Sequence, residues 1–161
     1  MKYKITPTDP PKLQNPYGGV LGMFAAAVSI FFAVIHLFRI DMFVPLVDSY
    51  MLGGIIIASL KVVAVVLAEV FAVPFALRMK LSPLAHRISG ALLVFAPLYW
   101  TLVTIWNYGT DVSTGQFSSF VETPSGLMPI VLNLTWLVFT LATLWALGYG
   151  TYKLPERRKL H

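Results

Sequence analysis

Four long apolar stretches, each at least about twenty residues long, constrain this chain more than any motif in it. They fall at about 18–38, 52–77, 84–106 and 127–150. A helix rises about 1.5 Å per residue, so each stretch can cross about 30 Å of hydrocarbon. Lipid offers no partner to a free backbone group, so spans must be helices or a closed barrel. The runs lack the period-two alternation of barrel strands. The expected fold is therefore an all-α integral membrane four-helix bundle.

Composition agrees. Of the 161 residues 57% are hydrophobic and 12% charged, with a mean hydropathy of +0.75. A soluble domain of this length carries about 25% charged residues. The absence of cysteine removes disulfides, thiol redox chemistry and thiolate metal sites. The net charge of +5 does not point to nucleic acid, because the basic residues stand at the ends of apolar runs. No phosphate-binding glycine loop, nucleophile elbow or zinc motif is present. That argues against a soluble-type catalytic centre, though not against a quinone or lipid enzyme.

The chain divides into a leader (1–17), the helical domain (18–150) and a basic tail (151–161). The leader is polar and holds four prolines, unlike a cleaved signal peptide, and is expected to lie extended on the membrane surface. With four spans, both termini share a side with the turn between the second and third. That side carries Lys2, Lys4, Lys12, Arg78, Lys80, Arg87, Lys153, Arg157, Arg158 and Lys159 against Asp9 and Glu156. The other side carries Arg39 against Asp41, Asp48, Asp111 and Glu122. The positive-inside rule puts both termini in the cytoplasm, and the expected location is a cytoplasmic membrane of bacterial or archaeal type. Trp100, Trp106, Tyr99 and Tyr108 suit an outer aromatic belt, and Tyr149 and Tyr152 an inner one. The segment after the first span mixes apolar and charged residues and suits the interface. The polar loop 107–126 reads as a solvated connector or a functional loop.

Within the second run stand Lys61 and Glu69. Fifteen Leu, Ile, Val or Phe residues favour insertion by roughly 0.3–0.6 kcal/mol each, which modestly outweighs two ionisable groups at about 2.5–3.5 each. The pair is eight residues apart, which gives about 80° of separation and about 12 Å of rise. Helical side chains lean toward their N-terminus, so Lys61 points away from Glu69 and a direct salt bridge is not expected. Lys61 reads equally as a snorkelling anchor, and Glu69 as a protonated carboxyl bonded to another helix. The functional alternative is a polar intramembrane site at Glu69 and Lys61. Pro74 frees the Val70 carbonyl beside Glu69, and Pro97 does the same to Leu93.

His36 and Arg39 are one turn apart and form a candidate outer-interface site, although simple interfacial anchoring is favoured. His86 reads as an interfacial polar group. His36 and His86 fall at opposite ends of two parallel spans, which disfavours a bis-histidine haem, and no metal site is expected. Asn133 and Thr135 make a sequon that is unusable inside a span and are expected to bond across helices.

The order of these features resembles the DoxX-like and MauE-like group of small four-helix membrane proteins. The first helix ends in "HLFRIDMFVPLVDSYMLGG" and the second carries a glutamate in "LAEVFAVPFALRMKLSP". The matching residues are Arg39, Phe43, Tyr50 and Glu69. The resemblance implies a redox-associated membrane protein, such as the membrane subunit of a quinone-reducing enzyme or a partner of thiol-redox machinery. Lacking cysteine, this chain cannot itself exchange thiols, and no strongly polar motif identifies a quinone site. The leading expectation is a protein handling a quinone or similar amphiphile near Glu69 and Lys61. The alternatives are a non-catalytic accessory subunit of a larger membrane complex, or a small transporter or lipid-binding protein. Expected partners are the bilayer, and other membrane subunits or further copies of the chain.

Overall fold

The computed structural model describes residues 7–50, 53–109 and 127–151. Among these are five α-helices and no strand: α1 (Gly18–Phe38), α2 (Ile40–Asp48), α3 (Gly54–Ala76), α4 (Pro83–Trp106) and α5 (Leu127–Ala146). α1, α3, α4 and α5 are each long and apolar enough to cross a membrane. The polar loop beyond Gly109, the tail beyond Thr151, Tyr152, Lys2 and Lys4 lie outside the described residues.

Local chemistry sets the helix ends. Ser82 accepts the Ala85 N–H at 3.2 Å and Pro83 opens α4, a standard start. α5 stops at Ala146, four residues before the expected end, because Gly148 takes a left-handed conformation at φ 76°. The interfacial segment after α1 is a helix of its own. Arg39 breaks the ladder at φ −113°, and α2 then turns Phe43 and Val47 into the protein.

α3 is the central element, packed against α1, α2 and α4, while α5 closes the ring between α4 and α1. Each long helix turns one seam inward at alternating steps of four and three residues. In α1 the seam is Gly18, Gly22, Ala25, Ser29, Phe32 and His36; in α3 it is Ala58, Val62, Val65, Glu69, Ala72 and Ala76. This spacing averages 3.5 residues, the period of left-handed supercoils. The inward seams mix small and polar residues with a few large ones, such as Phe32, Trp100 and Trp136. The outward faces carry the bulky apolar groups, with Phe38 85%, Ile56 76% and Trp106 73% exposed. In water that distribution would be inverted; in lipid, helices gain nothing by hiding apolar area and associate through close packing and polar contacts.

Close packing is tightest between α1 and α3. A Cβ added at Gly22 would collide with the Ala76 carbonyl, and one at Gly18 would stand 2.8 Å from the Ala146 carbonyl. Near Pro74, which has no N–H to give, α4 repairs the neighbouring ladder. The Ser89 hydroxyl donates to the Phe71 carbonyl and accepts the Phe75 N–H at 3.1 Å. Asn133 of α5 donates to Thr104 of α4 at 3.3 Å, as well as to Pro129 on its own helix. Thr135 bonds only within its helix, to Val131, and faces outward, so of the two sequon residues Asn133 alone bridges helices.

The leader is extended but does not simply rest on lipid. It is tied across one end of the bundle. Thr8 pairs with Leu81, Arg78 donates to the Pro11 carbonyl at 2.9 Å, and the Gln14 N–H reaches the Ala146 carbonyl at 3.0 Å. Lys80 and Asp9 form an exposed ion pair at 2.8 Å. Lys80 holds the Asp9 carboxyl below the usual carboxylate range, and Asp9 holds the Lys80 ammonium above its ordinary value. Their link therefore persists across neutral pH. It is lost as pH falls through the lowered Asp9 value or rises through the raised Lys80 value. The leader, the α3–α4 turn and the end of α5 thus share one end of the bundle.

The Gly22 contact yields a direct test. Gly22→Ala should destabilise the bundle by about 1–3 kcal/mol through backbone overpacking. Gly19→Ala, with open space around it, should be neutral or slightly stabilising. Thermal unfolding in detergent measures both, and equal behaviour of the two variants would contradict the α1–α3 packing.

Candidate functional site

Two deeply buried titratable groups meet. His36 Nδ1 of α1 lies 2.9 Å from Glu69 Oε2 of α3, with the side chains 0% and 2% exposed. The contact follows from helix geometry. α1 and α3 are antiparallel neighbours, and each side chain leans toward its own N-terminus. His36, near the far end of α1, therefore reaches back toward the leader end. Glu69, nearer the leader end of α3, reaches outward to meet it.

Aromatic rings enclose the imidazole. Phe43 of α2 stacks on it at 4.3 Å and 3°, and Phe32 lies near-parallel at 5.9 Å and 19°. Trp100 of α4 is 6.2 Å away, tilted by 42°, and contacts Phe43 and Tyr50 in turn. Trp136 of α5 packs on Phe32. Every helix of the bundle, with α2, thus contributes a ring or a titratable group.

One proton lies between Nδ1 and Oε2. It sits on nitrogen when an imidazole faces a carboxylate and on oxygen when the acid is protonated. Inside an apolar ring cage the charges are poorly screened, which strengthens the hydrogen bond between them. The remaining imidazole nitrogen, Nε2, is buried without a hydrogen-bond partner, and so is the Trp100 indole Nε1.

The sequence-derived candidates are rearranged accordingly. Glu69 is buried beside His36 rather than joined to Lys61, which stands half-buried eight residues toward the other end of α3. His36 and Arg39 are not brought together: His36 is wholly buried in the protein, while Arg39 is exposed at the α1–α2 break. The cause is α2, which folds Phe43 over the imidazole and removes the interface from it. Trp100 leaves the expected aromatic belt for the core, and Tyr99 is half-buried, whereas Trp106 and Tyr108 are exposed. His86 is buried near the leader end, against Phe75 and Tyr149, far along the bundle from His36. Among the described residues no cluster of three metal-ligating side chains occurs. Trp100 and Phe32 were missed as site residues. Their signal is the seam register, since Phe32 precedes His36 by one turn and Trp100 stands on the inward line Leu93, Pro97, Trp100, Thr104 of α4.

A double-mutant cycle of His36→Phe, which keeps a ring, and Glu69→Leu should return a coupling of about 1–2 kcal/mol in detergent unfolding. Additive effects would mean that the contact contributes nothing to stability. Comparison with known proteins finds no matching family model, no similar curated protein and no similar solved structure.

Proposed function

We propose that this is a small redox-associated protein of a cytoplasmic membrane that handles a quinone or similar amphiphile at the His36–Glu69 pair. The observation that carries the reading is the 2.9 Å contact between two fully buried titratable groups on different helices. Ionisable residues inside a membrane are costly, and a pair placed where apolar side chains would pack is a functional arrangement by default. A histidine backed by a carboxylate can take a proton at one nitrogen while the other stays oriented. That is the chemistry needed where an amphiphile gains or loses protons as its oxidation state changes. The DoxX-like resemblance supports the same reading through Glu69, and the contact with His36 favours that residue over Lys61 as its partner. The functional centre is thus the His36–Glu69 pair, with Lys61 outside it.

Both termini face the cytoplasm in this reading. The described geometry supports it in one respect: the leader, the α3–α4 turn and the end of α5 gather at one end, and of the described basic residues Lys12, Arg78, Lys80 and Arg87 stand there.

Two measurements test the proposal. Glu69→Gln should insert and fold but lose the infrared band changes of a titrating carboxyl between acid and alkaline pH, together with any quinone that co-purifies in mild detergent. A wild-type protein whose carboxyl never titrates, and which retains no amphiphile, would reduce the pair to a structural contact. Cysteines placed in the 107–126 loop should react with an impermeant reagent applied to intact cells. Labelling only after lysis would reverse the orientation.

A further inference from the structure

An amphiphile reaches the His36–Glu69 pair only if something moves. The two side chains are 0% and 2% exposed, and rings pack directly on the imidazole. Phe32, Trp100 and, behind Phe32, Trp136 belong to the spanning helices α1, α4 and α5. Withdrawing any of these rings would part helices that cross the bilayer. Phe43, stacked on the imidazole at 4.3 Å, stands instead on α2, a helix of nine residues. That helix has a break on each side. Before it, the α1 ladder ends at Arg39, at φ −113°. Beyond it, Gly53 and Gly54 take consecutive left-handed conformations at φ 118° and 80°. A side chain would be strained at either glycine, and a Cβ at Gly53 would stand 2.8 Å from the Ile57 side chain. A few element-terminal residues of this kind are what hinged elements turn on. α2 rests chiefly on α3 and touches α1 little. It fully buries only Phe43 and Val47, and its other face, with Asp41 and the 66% exposed Met42, already lies outside the protein.

We propose that α2 is a lid: it turns at Arg39 and at Gly53–Gly54, withdraws Phe43 from the imidazole, and opens the His36–Glu69 pair to the membrane interface. His36 is two residues from the end of α1, so the interface is near once α2 lifts. The apolar side chains that α2 uncovers enter lipid rather than water, which removes the usual cost of such an opening. The place that Phe43 leaves is flat, because its ring lies within 3° of the imidazole plane. A planar head takes that place on the imidazole while its alkyl tail stays in the hydrocarbon. The inference rests on the proposed amphiphile site and gives its route of entry.

The test uses the full-length chain in lipid nanodiscs. The chain has no cysteine, so a single introduced thiol reports alone. Val47→Cys on α2 is compared with Val65→Cys on α3, two positions of the same buried cluster at 2% and 1% exposure. A small thiol reagent should modify the first at least about tenfold faster than the second, because the lid opens without the bundle. An alkylbenzoquinone binds the open form, so it should speed modification at position 47 further. In the wild-type chain, diethyl pyrocarbonate should modify His36 in the folded protein, and the same quinone should protect it. These opposite effects of one ligand distinguish an occupied open site from a loosened fold. Equal, slow modification of the two thiols would mean that α2 leaves only when the bundle unfolds, and the lid is wrong whether or not quinone binds. Fast modification at position 47 with His36 untouched would overturn it too, since α2 then moves without uncovering the pair. If α2 opens and His36 reacts but quinone changes neither rate, the lid stands and the amphiphile reading falls.

Discussion

The environment of the backbone governs everything else in this protein. Hydrocarbon supplies neither hydrogen bonds nor a reward for clustering apolar side chains. A chain in that setting can turn bulky groups outward and draw small and polar groups inward, and the four long helices do so apart from a few buried rings such as Phe32, Phe75 and Trp100. Gly18, Gly22, Ala25 and Ser29 let α1 approach its neighbours until backbone meets backbone, and His36, Ser89 and Asn133 find partners on a neighbouring helix. Ser89 illustrates the economy: one hydroxyl joins two helices and closes the ladder beside Pro74.

Within that frame the His36–Glu69 contact sets two titratable groups against each other in the packed interior. It is seated by three decisions made elsewhere. The antiparallel α1–α3 approach lets the two side chains lean together. The break at Arg39 swings α2 back so that Phe43 covers the imidazole. The inward line of α4 delivers Trp100 to the same cage. The site is therefore a property of the whole bundle, and no single helix carries it.

Much of the architecture was legible in the sequence, because the solvent writes it there. The α1 boundaries and the other long helices follow from run length, with errors of a few residues at Gly54 and Ala146 where glycine conformations decide the ends. The site was legible only in part. Glu69 stands out because it is charged among Val, Leu and Ala. Its partner does not, since His36 sits beside Arg39 near a helix end and looks interfacial until α2 is folded over it. Trp100 looked like a belt residue for the same reason: hydropathy reports how far a helix extends but not which of its faces turns inward. The repeating four-three spacing of small and polar residues does report the face, and it places Phe32, His36, Glu69 and Trp100 on inward lines.

The clasp of the leader has a consequence for biosynthesis. Thr8, Pro11 and Gln14 leave the ribosome first, yet their partners Leu81, Arg78 and Ala146 are made much later. The Thr8, Asp9 and Pro11 contacts can close once the turn between α3 and α4 is made, whereas the Gln14 tie waits for the end of α5. Seating of the leader therefore runs in two stages, and a nascent chain stalled before α5 would hold it at one point and leave its Gln14 end untied.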